Sequence, residues 1–367
     1  MVNKILPSEY RFLLFLAVAV SVVVAGLLLF SMFQLDYEPN RDIVVIKLDP
    51  NGNLEWVRRI MAGFDATASS LVETSEGRYA LGGQITHERI GRQHPRVVIL
   101  APTGEILWDR QLEETKGEVT SLISTSDGGY AAWTDYGKLM RLNQRADLRW
   151  NRTFPGVIAR VMVETEEGGI IAAGSAQINE KSYPSVEELD GQGNLVWQNI
   201  SREIGRGEVR WILKDEDEGG YIIGASGKLG GIFVSGINQT GHFTWMISFN
   251  DALRNSPIFR ATPDGYSLIF WEEKKDQANQ RTISEPFEII LDKNKNIIEK
   301  RSITDRRLGY PTIDGGYILA DQPSSKWILK MDINETESWA TDLNSINYWG
   351  IQSVTSTSDG GYIILAY

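Results

Sequence analysis

The sequence predicts an all-β chain: a seven-bladed β-propeller preceded by one N-terminal transmembrane helix. Three observations predict it. A short turn phrase recurs seven times, a tryptophan recurs at a fixed phase between the copies, and the folded part begins and stops on complementary half-repeats.

The phrase occurs twice unchanged, as Ser124-Thr-Ser-Asp-Gly-Gly-Tyr130 and Ser356-Thr-Ser-Asp-Gly-Gly-Tyr362. Weaker copies are Glu76-Gly-Arg-Tyr79, Glu167-Gly-Gly-Ile170, Glu218-Gly-Gly-Tyr221, Asp264-Gly-Tyr266 and Asp314-Gly-Gly-Tyr317. Counted at the Tyr slot they lie 51, 40, 51, 45, 51 and 45 residues apart, a period that belongs to repeat architectures. An acidic residue before Gly-Gly is a tight-turn signal, because Gly takes positive φ at no steric cost and Asp caps the turn with its own side chain. Strand-like runs flank it, as in Val119-Thr-Ser-Leu-Ile123 and Tyr130-Ala-Ala-Trp133, so each copy is strand, turn, strand.

The second signature is an apolar residue followed eight positions later by Trp: Leu48/Trp56, Leu100/Trp108, Leu142/Trp150, Leu189/Trp197, Ile237/Trp245 and Met331/Trp339. Leu291/Glu299 keeps the spacing without the Trp. Between the two stand loop formers such as Asp49-Pro-Asn-Gly-Asn53 and Asp190-Gly-Gln-Gly-Asn194, which predicts a second hairpin. Strands A to D in each repeat, seven repeats and no helical period describe a propeller. A Trp at constant phase is expected to be an inter-blade wedge rather than a stacking platform for sugars or quinones. Full repeats run over about 66–112, 117–154, 157–200, 207–249, 255–303 and 305–343. Ile43 to Ile60 supplies half a repeat and Ser353 to Tyr367 the other half, so the carboxyl end should provide the inner two strands of a closing blade and the amino end the outer two.

Ahead of the repeats, residues 1–11 carry Lys4 and Arg11 against Glu9, and Phe12 to Phe33 runs 22 residues without a charge. At 1.5 Å per residue that is about 33 Å, enough to span a hydrocarbon core. Asp36 and Glu38 follow it. The charge bias puts residues 1–11 in the cytoplasm, 12–33 in the membrane, 34–42 in a linker and the propeller, 43–367, outside the cytoplasm. The rival is a cleaved signal peptide, whose apolar region is ordinarily only about 7–15 residues. The expected localisation is therefore the cell membrane, single-pass. A linker of nine residues reaches at most about 30 Å, so the loop face, where the first strand begins, is expected near the membrane.

The A–B and C–D turns are short and share one face; the B–C and D–A connections share the other. Length varies in the B–C segments Ile85–Pro95, Ala176–Pro184 and Glu272–Pro286, which are expected to be long loops and the place where a partner binds.

The Thr-Ser-Asp-Gly-Gly-Tyr phrase, together with Gly52-x-x-x-Trp56, Gly104-x-x-x-Trp108, Gly193-x-x-x-Trp197 and Gly241-x-x-x-Trp245, resembles the repeats of bacterial and archaeal cell-surface propellers grouped with the PQQ-like, quinoprotein-type family. The resemblance covers about residues 43 to 367. It implies the fold, while its members include enzymes, scaffolds and adhesins. The quinone-binding branch uses a metal-ligand cluster and commonly adjacent cysteines. This chain has no Cys and no matching cluster, so no cofactor is expected.

Net charge is −11, which argues against a nucleic-acid partner. Asp49-Pro-Asn-Gly-Asn53 begins like a calcium loop but lacks the distal Glu, and His87, His94 and His242 are too scattered for zinc, so no metal site is expected. No nucleophile elbow or phosphate loop is present, and no catalytic residue is assigned. Four sequons, at Asn151, Asn199, Asn238 and Asn334, are candidate N-glycosylation sites. The expected function is a binding or scaffolding module at the cell surface. Its partner would be a protein, an envelope polymer or another subunit of a membrane complex, bound on the B–C/D–A loop face. The alternative is a surface carbohydrate-active enzyme, with carboxylates gathered in the channel, or a divergent quinoprotein.

Overall fold

The computed structural model describes residues 42–367 except 61–64, 87–92, 114, 216–218, 228–230, 250–257, 263, 277–280, 303–308, 313, 315, 321–325, 333–335 and 349. The expected transmembrane segment 12–33, residues 1–11 and the linker up to residue 41 lie outside the described residues. Among the described residues no helix is long and apolar enough to cross a membrane.

Among the described residues, twenty-eight strands form seven four-stranded sheets. The chain enters through β1 (Ile43–Leu48) and β2 (Leu54–Ile60). Blade 1 holds β3 (Asp65–Glu73), β4 (Tyr79–Thr86), β5 (Gln93–Leu100) and β6 (Ile106–Gln111). Blade 2 holds β7 (Val119–Ser124), β8 (Tyr130–Thr134), β9 (Lys138–Leu142) and β10 (Leu148–Thr153). Blade 3 holds β11 (Val157–Glu164), β12 (Ile170–Ile178), β13 (Lys181–Leu189) and β14 (Leu195–Ile200). Blade 4 holds β15 (Gly207–Lys214), β16 (Tyr221–Gly227), β17 (Ile232–Ile237) and β18 (Phe243–Phe249). Blade 5 holds β19 (Ile258–Thr262), β20 (Gly265–Asp276), β21 (Arg281–Asp292) and β22 (Ile297–Ser302). Blade 6 holds β23 (Gly309–Pro311), β24 (Tyr317–Ala320), β25 (Trp327–Met331) and β26 (Glu337–Asp342). Last come β27 (Ile351–Ser356) and β28 (Tyr362–Ala366).

Every pairing is between sequence neighbours and antiparallel, except that β28 pairs with β1 from Val44↔Ala366 to Leu48↔Tyr362. The seventh blade is therefore β27-β28-β1-β2, inner half from the carboxyl end and outer half from the amino end. Each blade's first strand neighbours the first strand of the next, and β27 returns to β3, so the ring is closed. This is a seven-bladed β-propeller.

The turn phrase folds for the reasons its residue types suggest. Thr125 Oγ1 donates to Asp127 Oδ1 at 2.7 Å, and the Gly129 amide donates to the same oxygen at 3.1 Å. Thr357, Asp359 and Gly361 repeat this at 2.5 and 2.9 Å. The first Gly needs its positive φ, +76° at Gly128 and +81° at Gly360. The second is excluded from carrying a side chain for another reason: a Cβ on Gly129 would lie 2.3 Å from Leu142 O on the neighbouring strand.

Apolar residues form layers between blades rather than one central core. The Trp wedge sits at these seams. Trp56 Nε1 donates to Pro102 O in blade 1 at 2.9 Å, Trp197 to Gln239 O in blade 4 at 3.1 Å, and Trp339 to Pro50 O in the closing blade at 3.1 Å. Each ring lies over the Gly of the turn it grips. A Cβ on Gly104, Gly193, Gly241 or Gly52 would fall 2.4 to 2.6 Å from Trp56, Trp150, Trp197 or Trp339 respectively. Two residues beyond the Trp, Arg58, Asn199 and Thr341 donate to the carbonyls of Gly104, Gly241 and Gly52 at 2.5 to 2.6 Å. The Trp and Gly of one repeat thus serve opposite seams, which is why they recur together.

The expected long B–C loops are corrected in part. Residues 176–184 are not a loop but strand: β12 and β13 pair out to Ile178↔Lys181 and turn through Asn179 and Glu180 at φ 48° and 62°, as a tight two-residue hairpin requires. In blade 5 the pairing runs to Asp276↔Arg281. Polar composition and a proline made these stretches look loop-like. Pro95 and Pro184 cost the sheet nothing, because each carbonyl points past the end of the D strand, accepting from Leu112 N at 2.8 Å and Ser201 N at 2.9 Å. Blades 3 and 5 therefore raise extended two-stranded ribbons on the loop face; in blade 1, β3, β4 and β5 reach the tip together at Asp65, Thr86 and Gln93, and residues 87–92 of the expected loop lie outside the described residues.

Candidate binding groove between blades 3 and 4

The innermost strands carry a feature absent from any residue pattern. Five of them have a one-residue bulge at the same place, at Ser69, Thr120, Arg160, Arg210 and Gln352. In blades 1 and 2 the bulged residue is a short hydroxyl that closes the seam. Ser69 Oγ donates to Val119 O at 2.5 Å and Thr120 Oγ1 to Ala159 O at 2.7 Å. In blades 3 and 4 the same position holds an arginine. Arg160 Nε reaches Glu208 Oε2 at 3.0 Å, and Arg210 approaches Glu208 Oε1 at 2.5 Å. A guanidinium spans what a hydroxyl would close, and the seam stays open.

The result is a cavity of about 420 Å³ at the loop-face end of blades 3 and 4. It is lined by Arg160, Arg206, Arg210 and Lys181, with Glu180 and Glu208, and by Ser175, Ser182 and Ser226. Glu208 is shared by two arginines; Arg206 and Lys181 are exposed and have no carboxylate partner among the described residues. Counted over the lining, four cations face two carboxylates in a chain of net charge −11.

On the turn face between the same blades lies a second cavity, about 430 Å³, lined by Glu164, Glu166, Glu167, Glu188 and Asp215 with Lys214. Its chemistry is largely spent on the fold. Glu164 accepts from the Ser126 amide at 2.6 Å and from Arg141 at 3.3 Å, Glu166 pairs with Lys214 at 2.6 Å, and Asp215 with Lys295 at 3.3 Å. Among the described residues no group of three His, Asp or Glu is placed to hold a metal ion.

The calcium-like turn at Asp49 uses both carboxylate oxygens internally, accepting from the Asn51 and Asn53 amides and the Asn53 side chain at 2.8 Å each. The Asn53 side-chain bond holds this carboxyl below its ordinary value. Asp190 and Asp292 do the same with Asn194 and Asn296. His242 Nδ1 lies 3.0 Å from Thr240 Oγ1 within its turn, while His87 falls outside the described residues. Of the sequons, Asn151 is on β10, Asn199 spends its side-chain amide on the Gly241 carbonyl, Asn238 organises the C–D turn of blade 4, and Asn334 lies outside the described residues.

Buried charge falls into two kinds. Lys47, Arg141 and Lys330 occupy one position on the third strands and hold the turn-phrase aspartate of their own blade: Asp359 at 2.8 Å, Asp127 at 3.0 Å and Asp314 at 2.8 Å. The Lys47–Asp359 pair ties the two chain ends together. Partial burial pushes the Asp359 carboxyl up, but Lys47, Thr357 and the Gly361 amide outweigh it and hold it at about 2. Glu187 is the opposite case. It is fully buried on β13, with Oε1 accepting from Gln198 at 2.9 Å and Oε2 unpartnered, and burial pushes its carboxyl up to about 7.

No family model matches this chain, and no curated protein matches it in sequence. Among solved structures, BamB from Moraxella catarrhalis is similar over 86% of this chain and 89% of its own, at 11% identity and a TM-score of 0.45. The propeller assignment itself rests on the sheet topology above.

Proposed function

We propose that this chain is a membrane-anchored, extracytoplasmic propeller that acts as a binding or scaffolding module. Its partner would be a protein, an envelope polymer or a neighbouring subunit of a membrane complex, engaged on the loop face. The observation that carries the reading is the difference between the two faces. On the turn face, Trp and Asp side chains are consumed in seam and turn contacts, over glycines that leave room for them. On the loop face, ribbons of blades 3 and 5 flank a groove whose Arg206 and Lys181 have no carboxylate partner among the described residues. Binding chemistry resides on a rigid frame where side chains are not already spent. The carboxyl raised to about 7, Glu187, is sealed within a blade and is no use to a substrate. The apolar run 12–33 supports the anchor, and glycans at Asn151 or Asn238 would leave the loop face clear.

The test uses the full chain in its native membranes. The absence of native Cys lets single cysteines be placed at Asn179 on a ribbon tip and at Asn51 on a turn. The chain should resist alkaline extraction and lose that resistance when residues 1–33 are removed. Cross-links to a partner should form from Asn179→Cys. Cross-links formed only from Asn51→Cys, or extraction unaffected by the deletion, would overturn the reading.

A further inference from the structure

We infer that the groove between blades 3 and 4 is a docking site for an acidic peptide segment of a protein partner. The inference rests on the loop face being the binding face and names the chemistry that face would take. Three observations point to it. The bulge phase is Ser69 and Thr120 in blades 1 and 2 and Gln352 in the closing blade; among the described bulges it is a cation only at Arg160 and Arg210, in two adjacent blades. Glu208 holds both guanidiniums in place, with Arg160 at 3.0 Å, while each side chain stays about 40% exposed and keeps donors to spare. Arg206 and Lys181 add two cations from a loop and from the blade 3 ribbon, neither of them partnered among the described residues.

Four cations from three strands and a loop around about 420 Å³ suit carboxylate side chains spaced along a chain better than one compact anion. Glu180 and Glu208 among them favour a partner that carries donors as well as carboxylates, which a peptide backbone does. No aromatic ring lines the groove, so it offers a sugar no stacking surface. In a chain of net charge −11, a lining with four cations against two carboxylates is a local excess of positive charge.

The experiment measures binding of a fluorescent eight-residue peptide of alternating Asp and Gly to the detergent-solubilised full chain. Its Asn-for-Asp counterpart, an oligouronate, inorganic phosphate and anionic vesicles serve as competitors. Expected are saturable binding, weakening with salt, and competition by unlabelled acidic peptide above all others. The double variant Lys181→Gln/Arg206→Gln changes two exposed, unpaired residues and should fold normally while losing about tenfold in affinity, some 1.4 kcal/mol. Lys181→Glu alone should lose at least as much, whereas Lys214→Gln on the opposite face should change nothing. The inference falls if no saturable binding is seen, if the Asn peptide binds as well, if the oligouronate or vesicles compete better, or if the groove variants bind unchanged. Loop-face cross-links in membranes together with no peptide binding would remove this inference and leave the proposed function standing; cross-links only from the turn face would remove the latter.

Discussion

At the scale of single residues, position in the seam decides cost. Gly104 and Gly168 have nearly the same φ, +81° and +76°, but a Cβ at Gly104 meets Trp56 at 2.6 Å whereas at Gly168 it meets nothing within 4 Å. Gly168→Ala should therefore cost only the left-handed backbone penalty, about 1–2 kcal/mol. Gly104→Ala should cost that and roughly 1–3 kcal/mol more for overpacking. Equal denaturation midpoints for the two variants would show that the Trp wedge yields freely. Glu187 makes a prediction in pH. Its folded carboxyl, at about 7, lies above the ordinary 4.5, so between these values the folded chain holds a proton that the unfolded chain has lost. Its contribution is full below about 4.5 and is lost as pH rises to about 7. Glu187→Gln should remove that slope and stabilise the protein at pH 8 by about 1–3 kcal/mol. A melting curve at pH 8 in which the variant is less stable than the parent would refute the burial argument. Asp127 and Asp359, both held at about 2, act in the other direction: their contribution is present above about 3.8 and fades as pH falls toward 2.

Among elements, the fourth strands carry the tryptophan wedges. Trp197 combines ring packing over Gly241 with a bond to Gln239 O, but it is half-buried rather than sealed. Trp197→Ala should cost about 2–4 kcal/mol, toward the lower part of the range for buried aromatics. A near-neutral effect on stability with loss of partner binding would make the residue a ligand platform instead. Trp245 differs: its Nε1 finds no partner among the described residues, and its ring turns over Gly236 of its own blade. The hairpins and the Trp phase were legible in sequence because each demands particular residue types: Asp and Gly for φ and capping, Gly opposite a ring for space. The first-strand bulges were not, since Ser, Thr, Arg and Gln all occupy them and a bulge constrains backbone rather than side chain. The groove they open was invisible for the same reason. The ribbons of blades 3 and 5 were hidden by Pro184 and Pro286, which ordinarily argue against a strand and here stand at its permissive edge.

For the whole molecule, stability and function share one requirement, that the ring be closed. The inter-blade layers and their wedges hold only if each blade has both neighbours. The seventh blade is assembled from the two ends of the chain, through the β28–β1 ladder and the buried Lys47–Asp359 pair at 2.8 Å. Complementary half-repeats made this closure legible in sequence; the Lys47 pairing was not, because a lysine inside the run Ile43-Val-Val-Ile-Lys-Leu48 resembles an ordinary solvent-facing position. A loop face that binds as a preformed surface needs all seven blades fixed. The most direct measurement is thermal unfolding and size-exclusion elution of the chain lacking residues 351–367, set beside the intact chain in the same detergent. The account predicts loss of the cooperative transition and elution as aggregate, because β1 and β2 lose their inner partners and expose unpaired strand edges. An unchanged melting temperature with elution as the intact chain would contradict it.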